Sequence, residues 1–219
     1  MNFKLDAHIH TSETSYCGFL QAEEVVRRYH KLDYNAIVIT DHLHEHFIYH
    51  LRDNKNWTKC VNAYLKGYLR AKTEGASLGL EVILGAEFRF ADSPSDYLVY
   101  GITEDFLYDN PYPHRHTRKE FFEKFGTELL IIHAHPFRGG APDILPQYIH
   151  GIEIFNGNPR HENNNHLAEA FFAKHPHMYT TKGSDTHQSG DEGRAHMTFT
   201  RPVTNSLELR QAILNKEYC

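Results

Sequence analysis

The stretch Lys4-Leu5-Asp6-Ala7-His8-Ile9-His10-Thr11 carries a short apolar alternation, Phe3, Leu5 and Ala7, that ends in two histidines. Residues i and i+2 of an extended strand share a face, so His8 and His10 point the same way. The polar run Thr11-Ser12-Glu13-Thr14-Ser15 follows at once. Both imidazoles therefore fall at the C-terminal end of a buried strand, where α/β folds collect their functional side chains.

Further segments repeat this grammar. Residues 35–40 form an apolar run ending in Asp41-His42, and residues 81–86 lead into Glu87-Phe88. A strand over 97–101 is preceded by Asp96. The most apolar run, 129–132, ends in His133-Ala134-His135-Pro136-Phe137-Arg138; residues 151–156 follow, and 178–181 lead into Gly183-Ser184-Asp185-Thr186-His187. Amphipathic patterns predict helices over 22–32, over 57–73 (closed by Gly75, with a turn at Gly79), over 119–125, over 162–174, and from a Ser206 cap through Asn215. Alternating strands and helices imply a mostly parallel sheet. Ligand-type residues after nearly every one of about seven strands suit a small barrel, whose strand ends all face one mouth, better than an open sheet with one switch point.

Composition narrows the class. A chain of 219 residues is expected to form a single domain over 1–219 with a full core. The net charge of −5 provides no strong basic footprint for nucleic acid. No apolar run approaches the roughly 20 residues of a membrane span, and charge and histidine in the first ten residues exclude a secretory h-region there. Cys17, Cys60 and Cys219 are widely spaced, which fits a reducing cytoplasm better than a disulfide framework. Histidine is abundant, at 18 residues.

The strand ends together offer His8, His10, Asp41, His42, Glu87, His133, His135, Asp185 and His187. Imidazole mixed with carboxylate suits zinc, iron or manganese rather than magnesium or calcium. The donors outnumber what one tetrahedral ion takes, so two or three divalent transition ions are expected, with a carboxylate such as Glu87 bridging. No Gly-rich phosphate loop and no GxSxG elbow is present, so the expected nucleophile is a metal-activated water rather than a side chain.

The motifs His8-Ile9-His10, Thr40-Asp41-His42, Gly85-Ala86-Glu87, His133-Ala134-His135-Pro136 and Gly183-Ser184-Asp185-Thr186-His187, in that order, resemble the PHP (polymerase and histidinol phosphatase) family. The resemblance implies a distorted seven-stranded (β/α) barrel of TIM type, a metal centre at the strand ends and, in most members, phosphoesterase activity. Carried over by position, His8, His10, Glu87 and Asp185 look like the ligands of one ion. Glu87 and His135 look like part of a second set, and His42 and His187 part of a third. The family often has a ligand five or six residues after the HxH pair, where this chain has Ser15 and Tyr16; Glu13 is the favoured substitute over Cys17. On the fourth strand Asp96 stands where the family often has histidine.

Arg138 is the leading candidate to hold phosphate, since guanidinium matches phosphate oxygens in a fork. Asn156, Arg160 and Arg194 are candidate substrate contacts, and His133 a group beside the site that bonds or ligates. Asp41 reads as an orienter of its neighbours, and Glu153 as facing either the interior or the mouth. His44, His46 and His50, and the group His114, Arg115 and His116, read by default as surface loops flanking the mouth. The expected partner is a small phosphorylated substrate, a phosphomonoester or nucleotide; carbon–nitrogen hydrolysis and a non-catalytic metal-binding module are the alternatives.

Overall fold

The computed structural model describes residues 2–51, 54–140 and 143–219. The N-terminal alternation forms β1 (Phe3–Ile9), and α1 (Ala22–Lys31) follows, burying Val25, Val26 and Tyr29. The next apolar run is β2 (Ala36–Ile39), followed by a short β3 (His42–Leu43) and helix α2 (Glu45–Tyr49). The helix expected over 57–73 is two helices, α3 (Trp57–Tyr64) and α4 (Lys66–Leu78). Gly75 does not close it: the residue lies inside α4, where a Cβ would meet the Leu80 carbonyl oxygen at 2.5 Å, and the cap is Gly79, in the left-handed region at φ 74°.

The remaining elements are β4 (Glu81–Leu84), β5 (Ala86–Phe88), β6 (Tyr97–Tyr100), α5 (Glu104–Asp109), α6 (Arg118–Phe125), β7 (Leu130–His133), β8 (Gly151–Asn156), α7 (Asn165–Lys174), β9 (Tyr179–Gly183), β10 (Met197–Phe199) and α8 (Ser206–Leu214). The cap of α8 is Asn205, whose side chain accepts from Glu208 N. Ser206, expected in that role, instead accepts from Gly101 N.

The fold is mixed α/β with largely parallel sheets. Its strands form a four-stranded sheet, ordered β10-β1-β2-β4, and a six-stranded sheet, ordered β3-β5-β6-β7-β8-β9. Where the strand-end pattern led to the expectation of one parallel barrel, the strands form two sheets rather than one uninterrupted ladder. β2 continues toward β3 through Thr40 and Asp41, β4 toward β5 through Gly85, and a parallel bridge joins Ile9 to Thr186. β6 runs antiparallel to both its neighbours, and β10 antiparallel to β1.

Strand residues alternate between two cores. Ile37, Ile39, Val99 and Ile131 pack with the helices, whereas Val38, Leu98, Tyr100 and Ile132 join a second cluster with Leu209 and Ile213 of α8. This two-sided burial explains the continuous apolar runs. In β1 the register slips between Asp6 and Ile9: Leu5 and Ala7 belong to the α8 cluster, Ile9 to the helix-side one. His8 and His10 are both fully buried. No helix among the described residues is long and apolar enough to cross a membrane.

Candidate metal centre

Four side chains converge where β1, β5 and β9 end. His8 Nε2 lies 3.1 Å from His10 Nε2, 3.5 Å from Glu87 Oε2 and 3.4 Å from Asp185 Oδ1. His10 Nε2 lies 3.3 Å from the same Glu87 oxygen and 3.4 Å from the same Asp185 oxygen. Donors held by one ion at the zinc–ligand spacing of about 2.0–2.2 Å stand about 3.3–3.6 Å apart in a tetrahedron. The four imidazole–carboxylate separations have that spacing, and the two imidazole nitrogens stand slightly closer.

The histidines are oriented from behind. His8 Nδ1 bonds Glu153 Oε1 at 3.0 Å, and His187 Nδ1 bonds the Asp185 carbonyl oxygen at 2.8 Å. His10 Nδ1 bonds Ser15 Oγ at 3.1 Å, and that hydroxyl donates to Asp41 Oδ1 at 2.7 Å. Each Nδ1–H has an acceptor, which leaves Nε2 as a lone-pair donor, the arrangement that metal-ligating histidines adopt.

Glu87 reaches two ways. Its Oε1 meets His135 Nε2 at 3.1 Å, while its Oε2 faces His8, His10 and His42, the last at 3.0 Å. The groups with metal-holding geometry are His8, His10 and Asp185; His8, Glu87 and His135; His10, His42 and His187; and His42, Glu87 and Asp96. Asp96 is also gripped by Arg89, at 2.9 and 2.7 Å. His135 and Asp185 hold positive φ, 30° and 53°, backbone strain of the kind kept at functional sites. Gly183 leaves room for this packing, since a Cβ there would overlap His8 Cβ.

Electrostatics point the same way. Burial favours the neutral acid at Glu87, but the charges of His42 and His8 and the bonds from His10 and His135 outweigh it, holding Glu87 well below the ordinary carboxylate range. At Asp185 burial is likewise outweighed by His8, His10, His187 and Arg138, and this carboxyl too sits well below it. Two buried carboxylates ringed by imidazoles ask for positive charge, which a divalent transition ion supplies. Glu87 Oε2 and His42 Nδ1 are buried without hydrogen bonds, as donors aimed at an ion are. The residues present fit such ions.

Arg138 lies in the site, its Nη2 donating to Asp185 Oδ2 at 2.6 Å and to Asn156 Oδ1 at 2.9 Å, its Nε to Asn163 Oδ1 at 2.9 Å. Other expected residues are placed elsewhere. The Glu13 carboxylate accepts from Ala22 N at the start of α1 and pairs with Arg70 at 2.9 Å. His133 shares the helix-side face with Ile131 and stacks on Tyr97, ring centroids 4.7 Å apart, because the chain leaves the strand before His135 and alternation no longer relates the two. Arg160 pairs with Asp191, which accepts from His187 N; Arg194 is exposed and donates to the Gly190 carbonyl oxygen. Two residues not singled out from the sequence or left open there join the site: Arg89, which holds Asp96, and Glu153, which holds His8. The place of Glu153 on β8 was the available signal.

The PHP domain family model matches residues 6–174. No curated protein matches. Among solved structures, the fold is similar to a two-domain protein from Bacteroides vulgatus described as containing a predicted PHP-like metal-dependent phosphoesterase, at 18% identity and TM-score 0.69; the match covers all of this chain and 64% of that one. It is also similar to a putative metal-dependent phosphoesterase from Bifidobacterium adolescentis, at 15% identity and TM-score 0.56, covering 97% and 96% of the two chains. An amidohydrolase from Chromobacterium violaceum, described with bound sulfate and no metal, gives 16% identity and TM-score 0.54, covering 98% and 97%. A family model matched over most of the chain, with the donor cluster at its strand ends, makes this protein a member of the PHP domain family.

Proposed function

We propose that the chain is a metal-dependent phosphoesterase that hydrolyses a small phosphomonoester or nucleotide with two or three divalent transition ions, zinc, iron or manganese. The two sheets are then halves of one seven-stranded barrel, with this centre in its mouth. The observation that carries the reading is the convergence of His8, His10, Glu87 and Asp185 at ligand spacing, each histidine fixed from behind. His8, His10, Glu87 and Asp185 would hold one ion, Glu87 and His135 a second, and His42 with His187 a third, with Asp96 alongside. Ions bound there would supply Lewis acidity, acidifying water and offsetting charge on phosphoryl oxygens.

The chain's own residues do the rest. Arg138 is fixed by Asn156 and Asn163, and its Nη1 bonds none of the described residues, so that edge of the guanidinium meets a phosphate oxygen. Its grip on Asp185 couples phosphate binding to the ligand set. A histidine near the mouth donates the proton to the leaving oxygen.

Carbon–nitrogen hydrolysis is the second reading, favoured by the likeness to a protein described as an amidohydrolase. The test is hydrolysis of p-nitrophenyl phosphate by the full chain loaded with zinc, manganese or iron(II). Activity that is lost on chelation, restored by metal and inhibited by inorganic phosphate is expected. Full loading without phosphate release, together with cleavage of an amide substrate, would transfer the assignment to the second reading.

A further inference from the structure

Outside the centre, α2 and its C-cap residue carry a second pair of histidines. His46 and His50 are exposed and stand four residues apart, so they share one helical face. Their Nε2 atoms face each other at 3.3 Å. Two imidazoles on one transition ion at about 2.1 Å put their nitrogens about 3.0–3.4 Å apart, so the pair is already set at the bite of a chelate. Phe47 and Ile48 between them are buried and fix the face outward. Tyr16 packs on both rings, with centroids 5.3 Å from His46 and 4.6 Å from His50.

The pair also begins a file of rings leading inward. Centroids step 5.9 Å from His46 to His44, 5.0 Å from His44 to His42 and 4.5 Å from His42 to His10. His44 is a spacer in this file rather than a third ligand, because its Nδ1 caps α2 by accepting from Phe47 N.

We propose that His46 and His50 form a solvent-facing site for a divalent transition ion, an antechamber that captures the ion beside the mouth and supplies the buried centre. The supply role rests on the metal-centre reading above; binding at the pair does not. Such spacing on a helix is the same used by paired-histidine zinc sites.

The test uses full-length protein stripped with a chelator and returned to zinc, with ions counted by equilibrium dialysis and elemental analysis. The double variant H46A/H50A is expected to hold one weakly bound equivalent fewer than the wild type, and its buried sites to refill several-fold more slowly from limiting zinc. Both residues are exposed, so the variant keeps its fold, checked by thermal melting. Equal counts, or equal refilling rates, would overturn the antechamber. Glu87→Gln disables the buried centre and keeps the outer equivalent. A wild type that holds the outer ion but none inside would refute the metal-centre reading while leaving the surface site in place.

Discussion

Glu87 Oε2 and His42 Nδ1 face each other at 3.0 Å inside the protein without forming a hydrogen bond. The same oxygen lies near His8 and His10, and the other carboxylate oxygen meets His135. Among the described residues this side chain belongs to two of the four donor groups and borders the other two through His8, His10 and His42. Replacing it by glutamine keeps the shape and removes an anionic donor from the two groups that contain it. Glu87→Gln is expected to lose at least one ion equivalent by elemental analysis. An unchanged count would mean that Glu87 balances imidazole charge and ligates nothing.

Glu153 acts through His8. Its Oε1 accepts from His8 Nδ1, while its Oε2 accepts from His135 N at 2.8 Å and Asn156 Nδ2 at 2.9 Å. Glutamine offers one acceptor face where this residue uses two. Glu153→Gln should weaken metal affinity roughly 10- to 100-fold, read by competition with a fluorescent chelator, with little change in thermal melting.

How much of this was legible in the sequence follows from where side chains are governed by regular geometry. His8, His10 and Glu87 lie on or directly after strands, and the strand-end pattern brings them to one place. His133 and His135 share their spacing with His8 and His10, yet only His135 reaches the centre; it sits at φ 30°, and Asp185 at φ 53°, both outside strand geometry. Glu13 was the chemically sensible substitute for a family ligand, but it caps α1, and Ser15 instead orients His10. The break between α3 and α4 and the packing role of Gly75 depend on what lies across from them, which no local pattern records.

Arg138→Lys keeps the charge and loses the fork. Hydrogen bonds to charged groups are worth about 1.5–3 kcal/mol. The variant should therefore lose roughly 10- to 100-fold in kcat/KM for p-nitrophenyl phosphate while keeping its metal content. Loss of metal instead would assign Arg138 to supporting Asp185 alone.

His114 gives a pH dependence away from the centre. Burial is the main cause that pushes its pKa down to about 4, against the pull of Glu45 upward. The unfolded chain therefore binds a proton near the ordinary value of 6.5 that the folded chain refuses until about pH 4. Its contribution to stability is complete above pH 6.5 and is lost as pH falls toward 4, on the order of 3 kcal/mol. Denaturant titrations from pH 7 to 4 should show this decline, and His114→Gln should flatten it.

The central claim is tested most directly by anomalous diffraction from crystals of the full chain soaked in zinc, recorded at the zinc edge. The account predicts a peak enclosed by His8 Nε2, His10 Nε2, Glu87 Oε2 and Asp185 Oδ1, and at least one more beside His135 or between His42 and His187. Zinc bound only at surface residues, with no peak inside that cage, would contradict it.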